Sequence, residues 1–202
     1  MTKAELPGAD ESSVGDTPRS RAKADRRSVL LGSAARLFAE RGFDRVSIEE
    51  LGAAAGVSGP AVYRHFNGKQ AVLAALLVGV SDDLFSGGRA VIERETDDAT
   101  ALRALVAFHV DFALANPDVI RVQDRDLDSL AEPDRHTVRA LQRSYVELWV
   151  DVLRRIRPDA AGDTLRTRAH ATFGLINSTP HAGRAHDTRH ILEGMAIAAL
   201  NS

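Results

Sequence analysis

Four side chains between residues 63 and 69 can donate hydrogen bonds to phosphate groups. Tyr63 and His65 can donate to phosphate oxygens, and the guanidinium of Arg64 can donate to a phosphate or to a guanine edge. Lys69 offers a further phosphate contact from the start of a predicted helix, where the helix dipole disfavours a cation. A cation placed against that preference indicates an external anion. These residue types therefore suggest binding to a polyanion.

The segment just before these donors is small and apolar. Gly59, Pro60 and Ala61 would let a helix N-terminus lie close to base edges, and the latter two could contact a thymine methyl group. Val62 and Phe66 are four residues apart and are predicted to face inward. Each donor alone is better explained as part of a surface turn. Together with the predicted caps and turn, the donors indicate DNA binding.

Residues 46–69 supply the elements that would position these side chains. They are predicted to form two short helices joined by a tight turn at Gly56, followed by the start of a third helix. Ser47 can cap the first of these, and a glutamate three positions later completes a capping box. Ser58 can cap the second, and Asn67, with a glutamine three positions later, can cap the third. Capped helices at this spacing are typical of a helix-turn-helix, whose second helix enters the DNA major groove.

The composition of the 202-residue chain excludes several classes of protein. Its 44% hydrophobic and 27% charged residues are ordinary for a folded, soluble protein. The absence of cysteine excludes disulfides, thiol redox chemistry and cysteine-ligated zinc. No apolar run approaches the ~20 residues of a membrane span, and the N-terminus lacks the apolar core of a signal peptide. We therefore expect a cytoplasmic protein that does not bind membranes.

The formal net charge of -2 is unevenly distributed along the chain. Residues 1–18 are acidic and rich in Gly, Pro and Ser without periodicity, so we predict a disordered tail over residues 1–20. Residues 19–27 carry five basic side chains against one aspartate. They could form an arm that reaches DNA phosphates or the minor groove, or they could be a solvated polar tail.

Apolar residues recur at helical spacing from about Arg26 onward. The first helix is predicted to end at Gly42, and a long fourth helix to begin near Lys69. Further helices are predicted over about 102–115, 118–130, 133–156, 163–178 and 188–200. Since no convincing run of apolar residues alternates as in a strand, we expect an all-α chain. A three-helix helix-turn-helix domain would span residues 21–69, and a helical bundle would span residues 70–202.

The segment from Leu30 to Leu76 resembles the DNA-binding domain of TetR/AcrR-type transcriptional regulators. The resemblance rests on the motif AARLFAERGF, on VSIEELGAAAGVS, and on YRHF with the lysine that follows it. One departure is Gly52, where the family usually has alanine, and we expect both residues to be small enough for close helix packing. The resemblance implies DNA contacts at the following positions: Ser47, Ser58, Gly59, Pro60, Ala61, Tyr63, Arg64, His65 and Lys69.

The resemblance also implies a homodimer in which the last two helices of each subunit form a four-helix interface. Dimerisation is expected on physical grounds as well, because one helix-turn-helix offers too few contacts for specific binding, whereas two can read a palindrome. The apolar residues of these helices fit either this interface or an intramolecular core: Leu165, Phe173, Ile176, Ile191, Met195, Ala198 and Ala199.

In the family that the chain resembles, the second domain commonly holds a small-molecule pocket, and repression is the commoner activity. We therefore expect a ligand-binding and dimerisation domain over residues 70–202, and a hydrophobic or acyl-thioester-like effector that releases the protein from DNA. Aromatic residues at helical spacing are more often plain core, and the charged run 121–130 is usually a solvated face. Alternatively, Arg121 or Arg125 could bind an anionic ligand group. The candidate pocket residues are Phe108, His109, Phe112, Gln123, Asp124, Arg125, Tyr145, Trp149, Phe173 and Asn177.

Two alternatives to a regulator are considered. One is an enzyme, and the other is a helical interaction or metal-binding protein without effector control. No nucleophile elbow, phosphate-cradling glycine loop or dinucleotide fingerprint is present, so we predict neither an enzymatic activity nor a cofactor. A metal site could involve His186 and His190, which are four residues apart, with Asp187 and His181 nearby. No HExxH pattern surrounds them, and we predict no metal site.

Overall fold

The computed structural model describes residues 18–179 and 187–202. Within these ranges the chain forms nine α-helices and one short 3₁₀ turn, and it contains no strand. The prediction of an all-α fold is confirmed. The helices are α1 (Pro18–Arg41), α2 (Ile48–Ala54), α3 (Gly59–Val62), α4 (Lys69–Arg94), α5 (Asp98–Ala115), α6 (Pro117–Asp126), α7 (Glu132–Ile156), α8 (Gly162–Ile176) and α9 (Thr188–Asn201), with the 3₁₀ turn (Leu127–Ser129) between α6 and α7.

Local sequence signals determine where the N-terminal helices begin and end. α1 ends where Gly42 takes a φ of 88°, and the turn after α2 passes through Gly56 with a φ of 70°. Glycine adopts this left-handed conformation without steric cost. The predicted capping box of α2 is present, because Ser47 Oγ accepts a hydrogen bond from the Glu50 N–H at 3.2 Å and Glu50 Oε2 accepts one from the Ser47 N–H at 2.8 Å.

The two other predicted caps are not formed. Ser58 occupies the N-cap position of α3 but makes no capping bond with its side chain. Gly68, and not Asn67, precedes α4, because the chain turns one residue later than predicted. α3 is a single helical turn, and the chain continues to Phe66 through turns in which the Phe66 N–H donates to the Val62 carbonyl at 3.0 Å.

The basic segment of residues 19–27 belongs to α1, which begins at Pro18 and not near Arg26. Most residues from 20 to 29 are exposed, and the first buried one is Leu30. A helix shows apolar periodicity only where the helix packs against a core. The solvated first turns of α1 therefore have no such signal in the sequence. Proline is favoured in a first helical turn, and Arg, Lys and Ala are good helix formers. The segment is therefore a helical extension, and only residues 1–17 of the predicted tail lie outside the described residues.

The helices pack around two apolar cores. The first joins α1, α2 and α3 to the start of α4 and is closed by Val122 of α6 and Val138 of α7. The second lies among α5, α7, α8 and α9, around the fully buried Trp149. α4 runs from one core to the other, with Leu77 in the first and Leu84 against the second. The domain boundary at residue 69 stays a prediction, since the first core also draws side chains from α6 and α7.

Among the described helices, only α4 is long and apolar enough to cross a membrane, judged by length and composition. Asp82 and Asp83 lie in the middle of this helix. Its neighbours are α1, α5, α6 and α7 of the same chain. One helix of this kind is weak evidence for a membrane span, because the core helix of a soluble protein meets the same criteria.

Candidate DNA interface and effector cavity

The predicted recognition segment exposes its donors and buries its apolar residues. Tyr63 is 56% exposed, and Arg64 and Pro60 are exposed as well. Val62 and Phe66 are buried in the first core, as predicted. The exposed side chains are therefore held on a fixed backbone and are available to an external partner.

A groove of about 600 Å³ separates the α1 extension from the recognition segment. Its lining combines basic and apolar side chains: Lys23, Arg26, Leu30, Val57, Ala61, Arg64 and His65. None of these described lining residues is acidic, so three fixed positive charges face the groove. The Nδ1 atom of His65 is buried without a hydrogen-bond partner among the described residues. This arrangement can accept an anionic chain along its length.

Gly52 permits the close approach of α2 to the turn that leads into α3. A Cβ atom at this position would lie 2.9 Å from the carbonyl oxygen of Val57 and 3.2 Å from the amide nitrogen of Gly59. The Val57 N–H also donates to the Gly52 carbonyl at 2.9 Å. The expectation that alanine would fit as well is therefore wrong for this chain, because backbone atoms occupy the space that its methyl group would need.

Lys69 is bonded within the protein. Its ammonium group donates to the carbonyl oxygens of Phe43 at 2.8 Å and of Asp44 at 3.3 Å. It also lies 4.3 Å from the centroid of the Phe43 ring. The carbonyl groups of the loop after α1 therefore stabilise the Lys69 ammonium, which was predicted from the sequence to require an external anion. A DNA contact by Lys69 stays a prediction, as do those of Ser47, Ser58 and Gly59.

A cavity of about 210 Å³ lies among α4, α5, α6, α7 and α8. Six of the predicted pocket residues line it: His109, Phe112, Gln123, Tyr145, Phe173 and Asn177. The remaining walls are mostly apolar and include Leu84, Val119 and Ile120. None of the described lining residues is Asp, Glu, Lys or Arg. The cavity is therefore suited to an uncharged group.

A hydrogen-bonded chain of three side chains forms the polar wall of this cavity. His109 is 3% exposed, and its Nδ1 lies 3.1 Å from the Tyr145 hydroxyl while its Nε2 lies 3.2 Å from Asn177 Oδ1. Because an amide oxygen only accepts, Nε2–H donates to Asn177 and the Tyr145 hydroxyl donates to Nδ1. Burial lowers the pKa of His109 to about 4, and the Asn177 hydrogen bond opposes this only in part. Burial also raises the pKa of Tyr145, so both groups are neutral at pH 7.

Four predicted pocket residues do not line the cavity: Phe108, Asp124, Arg125 and Trp149. Phe108 packs on α4 instead, so closely that a Cβ atom on Gly87 would lie 2.6 Å from its ring. Trp149 is fully buried behind Tyr145, with ring centroids 6.2 Å apart. Arg125 lies two residues after Gln123, which places it on the opposite side of α6.

Arg125 instead binds the C-terminal end of α1. Its guanidinium donates to the carbonyl oxygens of Phe38 and of Ala39, the latter at 3.2 Å. It also donates to both carboxylate oxygens of Asp126, at 3.1 and 2.9 Å. The Phe38 carbonyl also accepts a hydrogen bond from the Gly42 N–H at 2.8 Å, and carbonyls at the end of a helix carry a partial negative charge that attracts a guanidinium. We call this contact the α6–α1 clamp.

Sequence analysis missed several cavity residues, of which Ser81, Gln142 and His170 are polar. Gln142 and His170 each lie three positions before a predicted aromatic residue, Tyr145 and Phe173 respectively. Residues at this spacing share a helix face, so helical geometry could have identified both. The missed apolar residues carry no signal that distinguishes a cavity wall from a filled core.

The alternative of a metal site is only partly covered by the described residues. His181 and His186 lie outside them. Within residues 18–179 and 187–202, no three His, Asp or Glu side chains come together as metal ligands would.

An exposed recognition segment on a three-helix head, joined to a helical bundle that encloses a cavity, defines a helix-turn-helix transcriptional regulator with an effector domain. The family comparisons agree with this class. The family described as bacterial regulatory proteins, tetR family, matches residues 30–76, and the tetracyclin repressor-like C-terminal domain matches residues 95–181. The chain belongs to the TetR family. Members of this family are in general DNA-binding proteins without enzymatic activity.

Two relatives show how the similarity is distributed. The chain is 32% identical over 132 residues, 65% of each protein, to the HTH-type transcriptional repressor KstR2 of Rhodococcus jostii. It is 38% identical over 88 residues to the HTH-type transcriptional activator FasR of Mycolicibacterium smegmatis, which covers 44% of this chain and 40% of FasR. The chain thus matches less than two thirds of the length of each relative.

A solved structure extends the likeness over most of the fold. AibR in complex with isovaleryl coenzyme A and operator DNA superposes with a TM-score of 0.71, covering 86% of this chain and 96% of AibR. The two sequences are 17% identical, so the likeness is one of fold.

Proposed function

We propose that the protein is a ligand-responsive repressor that binds a palindromic operator as a homodimer and is released by a small effector. The observation that carries the proposal is the exposed donor pair Tyr63 and Arg64, next to a groove lined by basic residues of α1. A cationic groove and the exposed donors beside it suit a phosphate backbone, and the small residues next to these donors suit base edges. Repression is favoured over activation because KstR2 matches more of the chain than FasR does.

The α1 extension is proposed to bind the DNA backbone next to the recognition segment. Lys23 and Arg26 line the same groove as Arg64, whereas Arg27 is held 5.0 Å above the Phe66 ring. Because the extension is helical, its charges are held in place and lose less conformational freedom on binding than those of a flexible arm. Phosphate contacts of this kind add affinity without adding sequence preference.

Dimerisation is supported by the outer face of α9. Ile191 and Met195 lie one helical turn apart and are 50% and 52% exposed, and Ala198 continues the exposed stripe. Leu165 and Ile176 of α8, in contrast, are fully buried within the subunit. We therefore assign the subunit interface to the exposed faces of α8 and α9, and the buried residues to the intramolecular core.

The effector is proposed to occupy the cavity around His109. Apolar walls and the absence of charge among the described lining residues favour a hydrophobic or acyl-type molecule. AibR, a neighbour in fold, binds isovaleryl coenzyme A. Val119, Ile120 and Gln123 bring α6 into the cavity wall, so an effector that displaces α6 would act on α1 through the α6–α1 clamp.

Gel retardation with the DNA upstream of the protein's own gene tests the proposal. Tyr63→Ala and Arg64→Ala should weaken binding to all sequences alike, and the arginine variant should reduce the salt slope by about 1. Substitutions of Ala61 should instead change the sequence preference. Arg89→Ala is the matched control, because Arg89 is exposed on α4, outside the groove. Normal retardation by Tyr63→Ala would show that the recognition segment lies elsewhere.

We further propose that the protein has no enzymatic activity and is cytoplasmic. Operator binding requires access to the chromosome, and members of the TetR family are in general DNA-binding proteins without enzymatic activity. A helical interaction protein without effector control would retard DNA equally with and without every effector tested.

A further inference from the structure

The groove between the α1 extension and the recognition segment holds cations that have no partner within the subunit. Lys23, Arg26 and Arg64 line it and are exposed, and none of them forms an ion pair with a described residue. His65 lines the same groove, and its buried Nδ1 atom likewise lacks a partner among the described residues. Like charges that share a groove repel one another. This surface therefore favours an anion even in the absence of DNA.

Arginines elsewhere on the surface are commonly paired with carboxylates of the same subunit. Arg154 lies 2.6 Å from Asp151 on α7, and Arg189 of α9 lies 2.8 Å from Asp111 of α5. Each exposed pair of this kind is weak, but together such pairs leave little uncompensated charge. The unpaired cations of the groove are therefore a feature of this surface and not of the whole molecule.

The chain carries a segment of opposite charge directly before α1. Residues 1–17 lie outside the described residues, and their sequence contains four acidic side chains against one lysine. Asp10, Glu11 and Asp16 fall within eight positions of Pro18, the first residue of α1. Three carboxylates are therefore close in sequence to the three unpaired cations of the groove.

Chain geometry allows this acidic segment to reach the groove. Lys23 and Arg26 lie about 8 and 12 Å from the start of α1, at a rise of about 1.5 Å per helical residue. The chain between Asp10 and Pro18 can span up to about 27 Å, so the carboxylates of Asp10 and Glu11 can reach past Arg26. Because the segment is attached to the same chain, its effective concentration at the groove is in the millimolar range. Ion pairs that are individually weak can therefore form.

We propose that the acidic segment of residues 1–17 occupies the cationic groove in the free protein and competes there with operator DNA. This proposal rests on the proposed function, because the groove is the surface that is proposed to bind the phosphate backbone. DNA displaces the segment, since a duplex offers a higher density of negative charge than a few carboxylates do. The segment makes no base contacts, so it lowers the affinity for every duplex by the same factor.

Gel retardation with a neutralised segment tests the competition. Asp10→Asn/Glu11→Gln should bind operator and unrelated duplexes at least about threefold more tightly than the unsubstituted protein at low salt, because two ion pairs no longer compete with phosphates. Glu95→Gln/Asp159→Asn is the matched control, since it removes the same charge from exposed carboxylates outside the groove. No gain in the first variant, or an equal gain in the control, would overturn the proposal.

A spin label in the segment tests the contact itself. The chain contains no cysteine, so Ser12→Cys provides a single site for the label. The label should broaden the amide signals of Val57 and Ala61, which line the groove, and should leave those of Ile191 on α9 unchanged. The broadening should disappear when operator DNA is added. It should also disappear in 1 M salt, where the screening length falls to about 3 Å.

The same label in the Asp10→Asn/Glu11→Gln background separates binding from mere attachment to the chain. Equal broadening with and without these carboxylates would overturn the proposal. Broadening found only when the label and the isotope are on different molecules would assign the groove to the segment of another copy, and would overturn it as well. Failure of every form of the protein to bind any duplex would overturn the proposed function. Normal retardation without groove contact would overturn only the role of the segment.

Discussion

His109 is a histidine whose neutral form is required by its surroundings. It is almost fully buried, and the aromatic rings of Phe173 and Trp149 lie within 5.0 and 6.0 Å of its own ring, measured between centroids. Its two hydrogen bonds use one donor and one acceptor, which only the neutral ring provides. Protonation would bury a charge and turn the acceptor facing Tyr145 into a second donor.

This environment predicts that stability falls as the pH decreases from 6.5 to 4. The pKa of His109 is about 4 in the folded protein and 6.5 in the unfolded chain, so between these values the unfolded chain binds more protons. The free energy of unfolding then decreases as the pH falls, and the loss is complete below pH 4, on the order of 3 kcal/mol. Urea unfolding at pH 7.0, 5.5 and 4.5 measures the free energy of unfolding and therefore this loss.

His109→Gln should remove most of this pH dependence, because its amide cannot be protonated in this range. The exposed His136 provides the control, and His136→Gln should retain the slope of the unsubstituted protein. A stability that stays constant from pH 6.5 to 4, or a slope that survives in His109→Gln, would contradict the assignment.

At the scale of elements, α6 connects the cavity around His109 to the DNA-binding head. Gln123 faces the cavity, and two residues later Arg125 holds the last carbonyls of α1. Asp126, which is 6% exposed, completes the clamp and finds its partner in Arg125. The start of α4 is tied to the same region, since Gln70 Nε2 donates to the Ser129 carbonyl at 2.8 Å. A displacement of α6 therefore reaches the ends of both α1 and α4.

Arg125→Gln should destabilise the protein by about 1 kcal/mol. The estimate is kept small because the guanidinium is 45% exposed, although its loss leaves the Asp126 carboxylate buried without a cation. The double variant Arg125→Gln/Asp126→Asn should be less destabilised than the sum of the two single variants. Thermal unfolding of the two single variants and the double variant measures this coupling, and Arg89→Gln is the control for an exposed ion pair. Additive losses would show that the clamp does not couple the two side chains.

The elements that sequence analysis predicted are those with a local or periodic signal. The capping box at Ser47 and the glycine turns follow from residue types a few positions apart, and the long amphipathic helices follow from their spacing. The α1 extension was missed because solvated turns have no apolar period. Arg125 and Lys69 were misinterpreted because their partners are backbone carbonyls distant in sequence, of which residue types give no sign.

At the scale of the whole molecule, two cores share α4, so the head and the bundle are mechanically joined within one subunit. The proposed recognition of a palindromic operator adds a second constraint, the distance between two heads. A palindrome presents its half-sites about 34–36 Å apart, and only a dimer can match that spacing. In the proposed mechanism, an effector that alters the angle between head and bundle changes the separation of the heads and lowers operator affinity.

The outer face of α9 should therefore control both oligomeric state and operator affinity. Ile191→Asp/Met195→Asp places two charges on the exposed apolar stripe, where burial against a partner subunit would leave them unpaired. Sedimentation analysis should show a dimer for the unsubstituted protein and a monomer for the variant. Operator affinity should fall about a hundredfold or more, since two linked heads gain their avidity from each other. Leu114→Asp, at an exposed leucine of α5, should remain dimeric. A double variant that stays dimeric and folded would place the subunit interface on another face of the bundle.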